Sequence, residues 1–184
     1  MAFENHVATV VCDTKDVYIL DWRDKSGTNE YYVRYIVDKK LGSLIIQGDL
    51  GTAVACWYSE VTLKSLVSYV SNVPYFASKL LCSTDKYVYN DEDIKADIVE
   101  YFDNLAVDYE GDAFKEVMDD CYAVVNAIID AHHNNVGIDA ETREILEKYD
   151  IEECVCTAGR RLSERVKLWS EGFVKAYEEV SGND

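Results

Sequence analysis

Hydrophobic and polar positions alternate with a period of two over much of the first sixty residues, as expected of half-buried strands. Val17-Tyr18-Ile19-Leu20-Asp21-Trp22 is a β-branched and aromatic run, and the turn cluster Asp24-Lys25-Ser26-Gly27 ends it. A second run, Tyr31–Val37, is followed by a turn at Lys39-Lys40-Leu41-Gly42. Residues 43–47 make a third, and after Gly48-Asp49-Leu50-Gly51 a fourth covers 52–58. Val7–Cys12 adds a strand at the edge. Short runs joined by glycine-containing turns predict an antiparallel meander of four to five strands. In the second run Tyr31, Val33, Tyr35 and Val37 share the more apolar side and are expected to face the core, leaving Tyr32 and Arg34 outside.

The period then lengthens. Val61, Leu63, Leu66, Val67 and Val70 predict a short amphipathic helix, with Ser59 as its N-cap. Tyr75–Leu81 fits a helix and a buried strand equally, and Lys86–Tyr89 fits a short strand. From Asp91 onward the pattern is helical over 91–105, 112–134, 139–149 and 160–180. Ile94, Ile98, Tyr101, Phe102 and Leu105 form one apolar stripe; Phe114, Val117, Met118, Tyr122, Val125, Ile128 and Ile129 form the next. The fold class expected is α+β. Residues 1–90 would form an antiparallel sheet with a short helix, and residues 91–184 an acidic helical region packed on it.

Charge sharpens that division. The chain of 184 residues has a net charge of −17, but residues 85–153 hold twenty-one Asp/Glu against five Lys/Arg. Residues 1–84 hold nine against eight, and 160–184 hold five of each. An acidic tail without apolar residues would be disordered; this segment carries two apolar stripes, so its carboxylates are expected on ordered helices. Asp91, Asp93, Asp97, Glu100 and Asp103 lie on the first helix, and Asp112, Glu116, Asp119 and Asp120 on the second. The helix dipole accounts for acids in a first turn only. Further along, like charges at i, i+4 cost a helix about 0.2–0.5 kcal/mol per pair, so the acids are not there for helix stability. Arg160, Arg161, Arg165 and Lys167 open the last helix, where the dipole disfavours cations; they are expected to pair with acids of the preceding helices and close a bundle.

Several classes of chemistry find no support in the spacing. Cys154 and Cys156 are one residue apart and His132-His133 are adjacent, whereas zinc sites use Cys-x2–4-Cys or His-x3–5-His pairs. The two histidines and Asn134-Asn135 read as a helix C-terminus. There is no Gly-x-Ser-x-Gly elbow, Walker loop or Gly-x-Gly-x-x-Gly motif. No metal, cofactor or catalytic residue is therefore expected. The six cysteines are expected to be reduced and structural, in a cytoplasmic setting; several sit in apolar contexts, such as Val-Ala-Cys56-Trp-Tyr and Leu-Leu-Cys82, where a free Cys acts as a small buried hydrophobe. No run of about 18 apolar residues is present, so no membrane span is expected. The charge has the wrong sign for binding nucleic acid directly.

A fixed acidic surface suits a basic partner instead. Duplex DNA carries one charge per ~1.7 Å of axis; an acidic helix face offers one per roughly 5–6 Å, so two or three such helices approach a phosphate track. The segment YYVRYIVDKKLGSLIIQGDLGTAVACWY, followed by an acidic helical half, resembles small proteins carried by phages and mobile elements of gut Firmicutes, and among them a type II-A anti-CRISPR family. That resemblance implies inhibition of Cas9 inside the bacterial host cell, by binding the guide RNA-loaded effector and obstructing its engagement with DNA. It assigns no residue. The nine carboxylates named above are the candidate contacts. Two other classes stay open: an interaction module working through the exposed aromatic sheet face, and an uncharacterised hydrolase.

Overall fold

The computed structural model describes residues 3–182, which divide into two compact units: Met1–Lys86 with Leu162–Asp184, and Tyr87–Arg161. The first is built on a six-stranded antiparallel meander, with β1 (His6–Asp13), β2 (Val17–Asp24), β3 (Val33–Asp38), β4 (Ser43–Gly48), β5 (Gly51–Cys56) and β6 (Leu80–Ser83) in sequence order across the sheet. The predicted meander is present, with one more strand than its upper bound. The ambiguous stretch around 75–81 is both things in succession: α2 (Val73–Lys79), opened by Asn72 and Pro74, runs directly into β6. The helix α1 (Leu63–Ser71) is capped by Thr62, not Ser59. Thr62 and Ser65 exchange side-chain-to-backbone bonds in a capping box, while Val61 is tied to the Lys39 carbonyl and buried.

Alternation sorts the two faces of the sheet. Val33, Tyr35 and Val37 are buried, as are Tyr18, Leu20, Trp22, Leu44 and Ile46 on neighbouring strands. Tyr31 is only half-buried: it takes a positive φ of 53° before the strand begins, its N–H bound by Asp49. Gly48 permits the next turn, since a Cβ there would lie 2.1 Å from the Tyr32 carbonyl oxygen.

The helix α7 (Glu164–Ser181) covers the inner face with α1 and α2, burying Val166, Trp169, Phe173 and Ala176 in the sheet core. A fully buried large aliphatic side chain contributes about 1.5–3 kcal/mol, so this helix is integral to the first unit. It does not close a bundle with the acidic helices. Gly172 lets it approach, for a Cβ at that position would meet the Tyr35 hydroxyl at 2.5 Å. That hydroxyl donates to the Trp169 carbonyl at 3.0 Å, and Ser170 donates to the Val70 carbonyl at 2.7 Å. Both bonds satisfy buried groups that would otherwise be costly. The chain leaves this unit after Lys86 and returns at Leu162; the Ser163 N–H donates to the Lys86 carbonyl at 3.0 Å.

The second unit contains the strand β7 (Tyr87–Val88), the helices α3 (Asp91–Ala106), α4 (Gly111–Asn134), α5 (Ala140–Tyr149) and α6 (Glu152–Val155), and the start of β8 (Arg161–Leu162). It has its own core of Ile94, Ile98, Phe102, Val117, Cys121, Val124, Val125, Leu146 and Ile151. Asn90 caps α3 by accepting from the Asp93 N–H, and Asn135, in the left-handed region at φ 51°, ends α4 where the sequence signal placed its stop. Gly159, at φ +72°, passes so close to α3 that a Cβ would meet Ile94 Cγ1 at 2.3 Å.

Candidate partner-binding surface

The acidic unit nearly coincides with the acidic stretch of the sequence and carries almost as large an excess. Tyr87–Arg161 contains twenty Asp/Glu and six Lys/Arg, a net charge of −14, against −3 for the rest of the chain. Within it the nine predicted carboxylates fall into two groups.

Five have partners inside the unit. Asp97 receives a two-pronged bond from Arg161, Nη1 to Oδ2 at 2.8 Å and Nη2 to Oδ1 at 2.7 Å, and accepts from the Gly159 N–H at 2.8 Å. The guanidinium holds the Asp97 carboxyl below its ordinary value of 3.8, outweighing the opposing cost of burial, and the bond from the Gly159 N–H adds a lesser contribution in the same direction. Asp93 touches the same guanidinium at 3.2 Å. Lys148 bridges Glu116 at 2.6 Å and Asp120 at 2.8 Å, and the Tyr149 hydroxyl also donates to Asp120 at 2.8 Å. These carboxylates raise the Lys148 ammonium above its usual range, Asp120 most. Asp91 pairs with His133 Nε2 at 2.9 Å. The expectation that all nine would stand free for a partner is therefore corrected for Asp91, Asp93, Asp97, Glu116 and Asp120. Three of these pairs join α3 or α4 to chain 28–64 residues further on, which makes them fastenings of the unit.

The other four, Glu100, Asp103, Asp112 and Asp119, are exposed. No hydrogen bond or ion pair involves their side chains among the described residues. Glu100 and Asp103 share the outer side of α3, three residues apart; Asp112 and Asp119 lie seven apart on α4, one stripe of the helix. Aromatic side chains accompany them. Phe114 and Tyr122, predicted on the buried side of α4, are 44% and 54% exposed, and Tyr109 in the preceding turn is 41% exposed. Tyr122 falls at the margin of the apolar stripe, whereas Phe114 lies in line with Cys121 and Val125 but in the first turn of α4, so periodicity assigned both to the core.

The basic cluster also separates. Arg161 serves α3 as expected, and Arg160 lies over the Tyr87 ring at 4.4 Å. Arg165 faces Asp85 at 3.8 Å and Lys167 binds Glu164 on its own helix at 2.9 Å, where pairs with the acidic helices were expected.

A second feature had no sequence signal. An open cleft of about 730 Å³ lies within the helical unit, floored by Ile94, Ile128, Leu146 and Val155 and rimmed by Arg143, Glu147 and Glu152. Its walls come from α3, the end of α4, α5 and α6, so no local motif could announce it.

On the sheet unit, the outer face carries a continuous apolar row: Cys12, Ile19, Ile36, Ile45, Val54 and Cys82 are successive cross-strand neighbours from β1 to β6. Ile45 and Cys82 are exposed and the others half-buried. Cys82 was expected inside; the outward register opposite Val54 puts it at the surface. All six cysteines are free thiols, with Cys56 and Cys121 buried. Arg34 forms a two-pronged pair with Asp21 beside this row, at 2.6 and 2.8 Å. Among the described residues no group of three or more His, Cys, Asp or Glu is placed to hold a metal ion, and no helix is long and apolar enough to cross a membrane.

No known protein family, curated protein or solved structure matches this chain.

Proposed function

We propose that this protein is a non-enzymatic inhibitor whose helical unit occupies a basic nucleic-acid-binding site on another protein. The observation that carries the reading is the concentration of −14 net charge in one ordered 75-residue unit, where twenty carboxylates face six cations and two of those cations, Lys148 and Arg161, are held in internal pairs. A field of one sign on a firm scaffold raises the encounter rate with a cationic groove and weakens as salt is added. The contact carboxylates are Glu100, Asp103, Asp112 and Asp119, with Tyr122 beside Asp119 on α4. Asp93, Asp97, Glu116 and Asp120 hold the unit together. A Cas9–guide RNA complex, whose duplex channel is lined with Lys and Arg, is the particular partner that the sequence resemblance implies.

Capture of purified Cas9 on immobilised protein, with and without guide RNA, tests this. Retention that is lost on raising salt is the expected result. No retention in either state removes Cas9 as the partner.

The apolar row Cys12–Cys82 supports a second reading, a docking module working through the sheet. Burial of that row against a partner would hold up at high salt, which separates the two.

A further inference from the structure

The cleft in the helical unit has the size and lining of a binding site. Ligand pockets run from ~300 to 1,000 Å³, with apolar walls and a few polar groups at the edge, and this one offers about 730 Å³. Its floor residues Ile94, Leu146 and Val155 are among the unit's most buried side chains, so the cavity is bounded by the core itself. The charge around the rim is mixed: Glu147 and Glu152 oppose Arg143, with the His132 ring tilted against Tyr89 at 4.7 Å. The last turn of the 24-residue α4 also ends here, presenting the negative end of its dipole. Two carboxylates, a helix C-terminus and the field of the unit outweigh one guanidinium.

We infer that the cleft anchors an apolar side chain from a basic peptide segment, with the neighbouring lysine or arginine held by Glu147 and Glu152. The inference rests on the helical unit being the partner-facing part of the protein, and it gives that part an anchor. A buried aromatic side chain contributes 150–250 Å² of contact. The exposed carboxylates would then set the encounter, and the cleft would slow release.

Three capped tripeptides serve as probes in titrations of the isotopically labelled full chain followed by NMR: Lys-Trp-Lys, Glu-Trp-Glu and Lys-Ala-Lys. Lys-Trp-Lys alone should shift the resonances of residues around Ile138, Leu146 and Val155. Ala131→Phe, which fills the cavity from α4, should abolish that shift. Val136→Arg, at an exposed rim position, should weaken it without touching the core. Equal or stronger response to Glu-Trp-Glu would make the cleft an anion site governed by Arg143 and overturn the inference. So would a matching response to Lys-Ala-Lys, or persistence of binding in both variants. Against guide-loaded Cas9, V136R should bind about tenfold more weakly than the parent. If the parent retains Cas9 and V136R binds equally, the cleft is not the anchor, although the acidic reading stands. If the parent retains none while Lys-Trp-Lys still selects the cleft, Cas9 is removed as the partner and the peptide site survives.

Discussion

The division of the acids into paired and unpaired sets yields opposite expectations for two neutralised variants. Consider Glu100→Gln, Asp103→Asn, Asp112→Asn and Asp119→Asn together, which takes the helical unit from −14 to −10. If each carboxylate meets one cation of the partner at an exposed contact, each pair is worth about 0.2–1 kcal/mol. Four amount to roughly 1–4 kcal/mol, a loss of affinity between about fivefold and a thousandfold. The fold should hardly notice. Neutralisation relieves like-charge neighbours, Asp112 with Glu116, Glu116 with Asp119 and Glu100 with Asp103, at about 0.2–0.5 kcal/mol each. Against that, Asp112 leaves the first turn of α4, where it gains about 0.3–1 kcal/mol from the dipole. The two nearly cancel, so the melting temperature should move by only a few degrees. The contrasting set, Asp97→Asn with Glu116→Gln and Asp120→Asn, leaves Lys148 without its carboxylates and Arg161 with only the longer contact to Asp93, and should lower the melting temperature of the helical unit. Binding measured by surface plasmon resonance over a salt series, beside calorimetric melting, reads both. Unchanged affinity in the first set, or a larger loss in the second while it remains folded, refutes the assignment of contacts.

Three further outcomes follow from particular contacts. The Asp97 carboxyl is held below 3.8 in the folded state, so its contribution is complete above that value and disappears as pH falls through the lower one; Arg161→Gln should flatten the acid limb of a stability-versus-pH curve below about 4. Gly172→Ala forces a Cβ toward the Tyr35 hydroxyl and should cost about 1–3 kcal/mol in denaturant unfolding, by crowding the core and disturbing the bond to Trp169. Ile36→Lys with Ile45→Lys breaks the apolar row on the outer sheet face; partner affinity in a pull-down should be unaffected under the acidic reading and abolished under the sheet reading.

Much of this arrangement was legible because local rules and tertiary context agreed. The alternation in Val33-Arg34-Tyr35-Ile36-Val37 states which side is buried, and the stripe Ile94–Ile98–Phe102 fixes the inner face of α3. An amphipathic helix does not say which core it will join. The apolar side of Val166, Trp169 and Phe173 would suit either core, and the sheet took it through the close approach at Gly172. Nor can spacing reveal a partner far along the chain. Asp97 looks like any exposed helix acid until Arg161, 64 residues later, is brought to it. The charge excess of the segment was therefore visible, while the distinction between its working and its fastening carboxylates is set by the tertiary fold.

The bond between Ser163 N–H and the Lys86 carbonyl bears on how such a chain could arise and be taken apart. Where the polypeptide departs for the helices and where it comes back are neighbours in the first unit, so the seventy-five intervening residues form a cassette spliced into a surface turn. Hosts tolerate such insertions when the junction ends are close together. The sheet core is nonetheless unfinished until its final helix has been synthesised, since Trp169 and Phe173 arrive last. Excising the cassette and bridging the gap with a few glycines should thus leave an intact scaffold with a net charge of only −3, whereas truncating the C-terminal helix should ruin it.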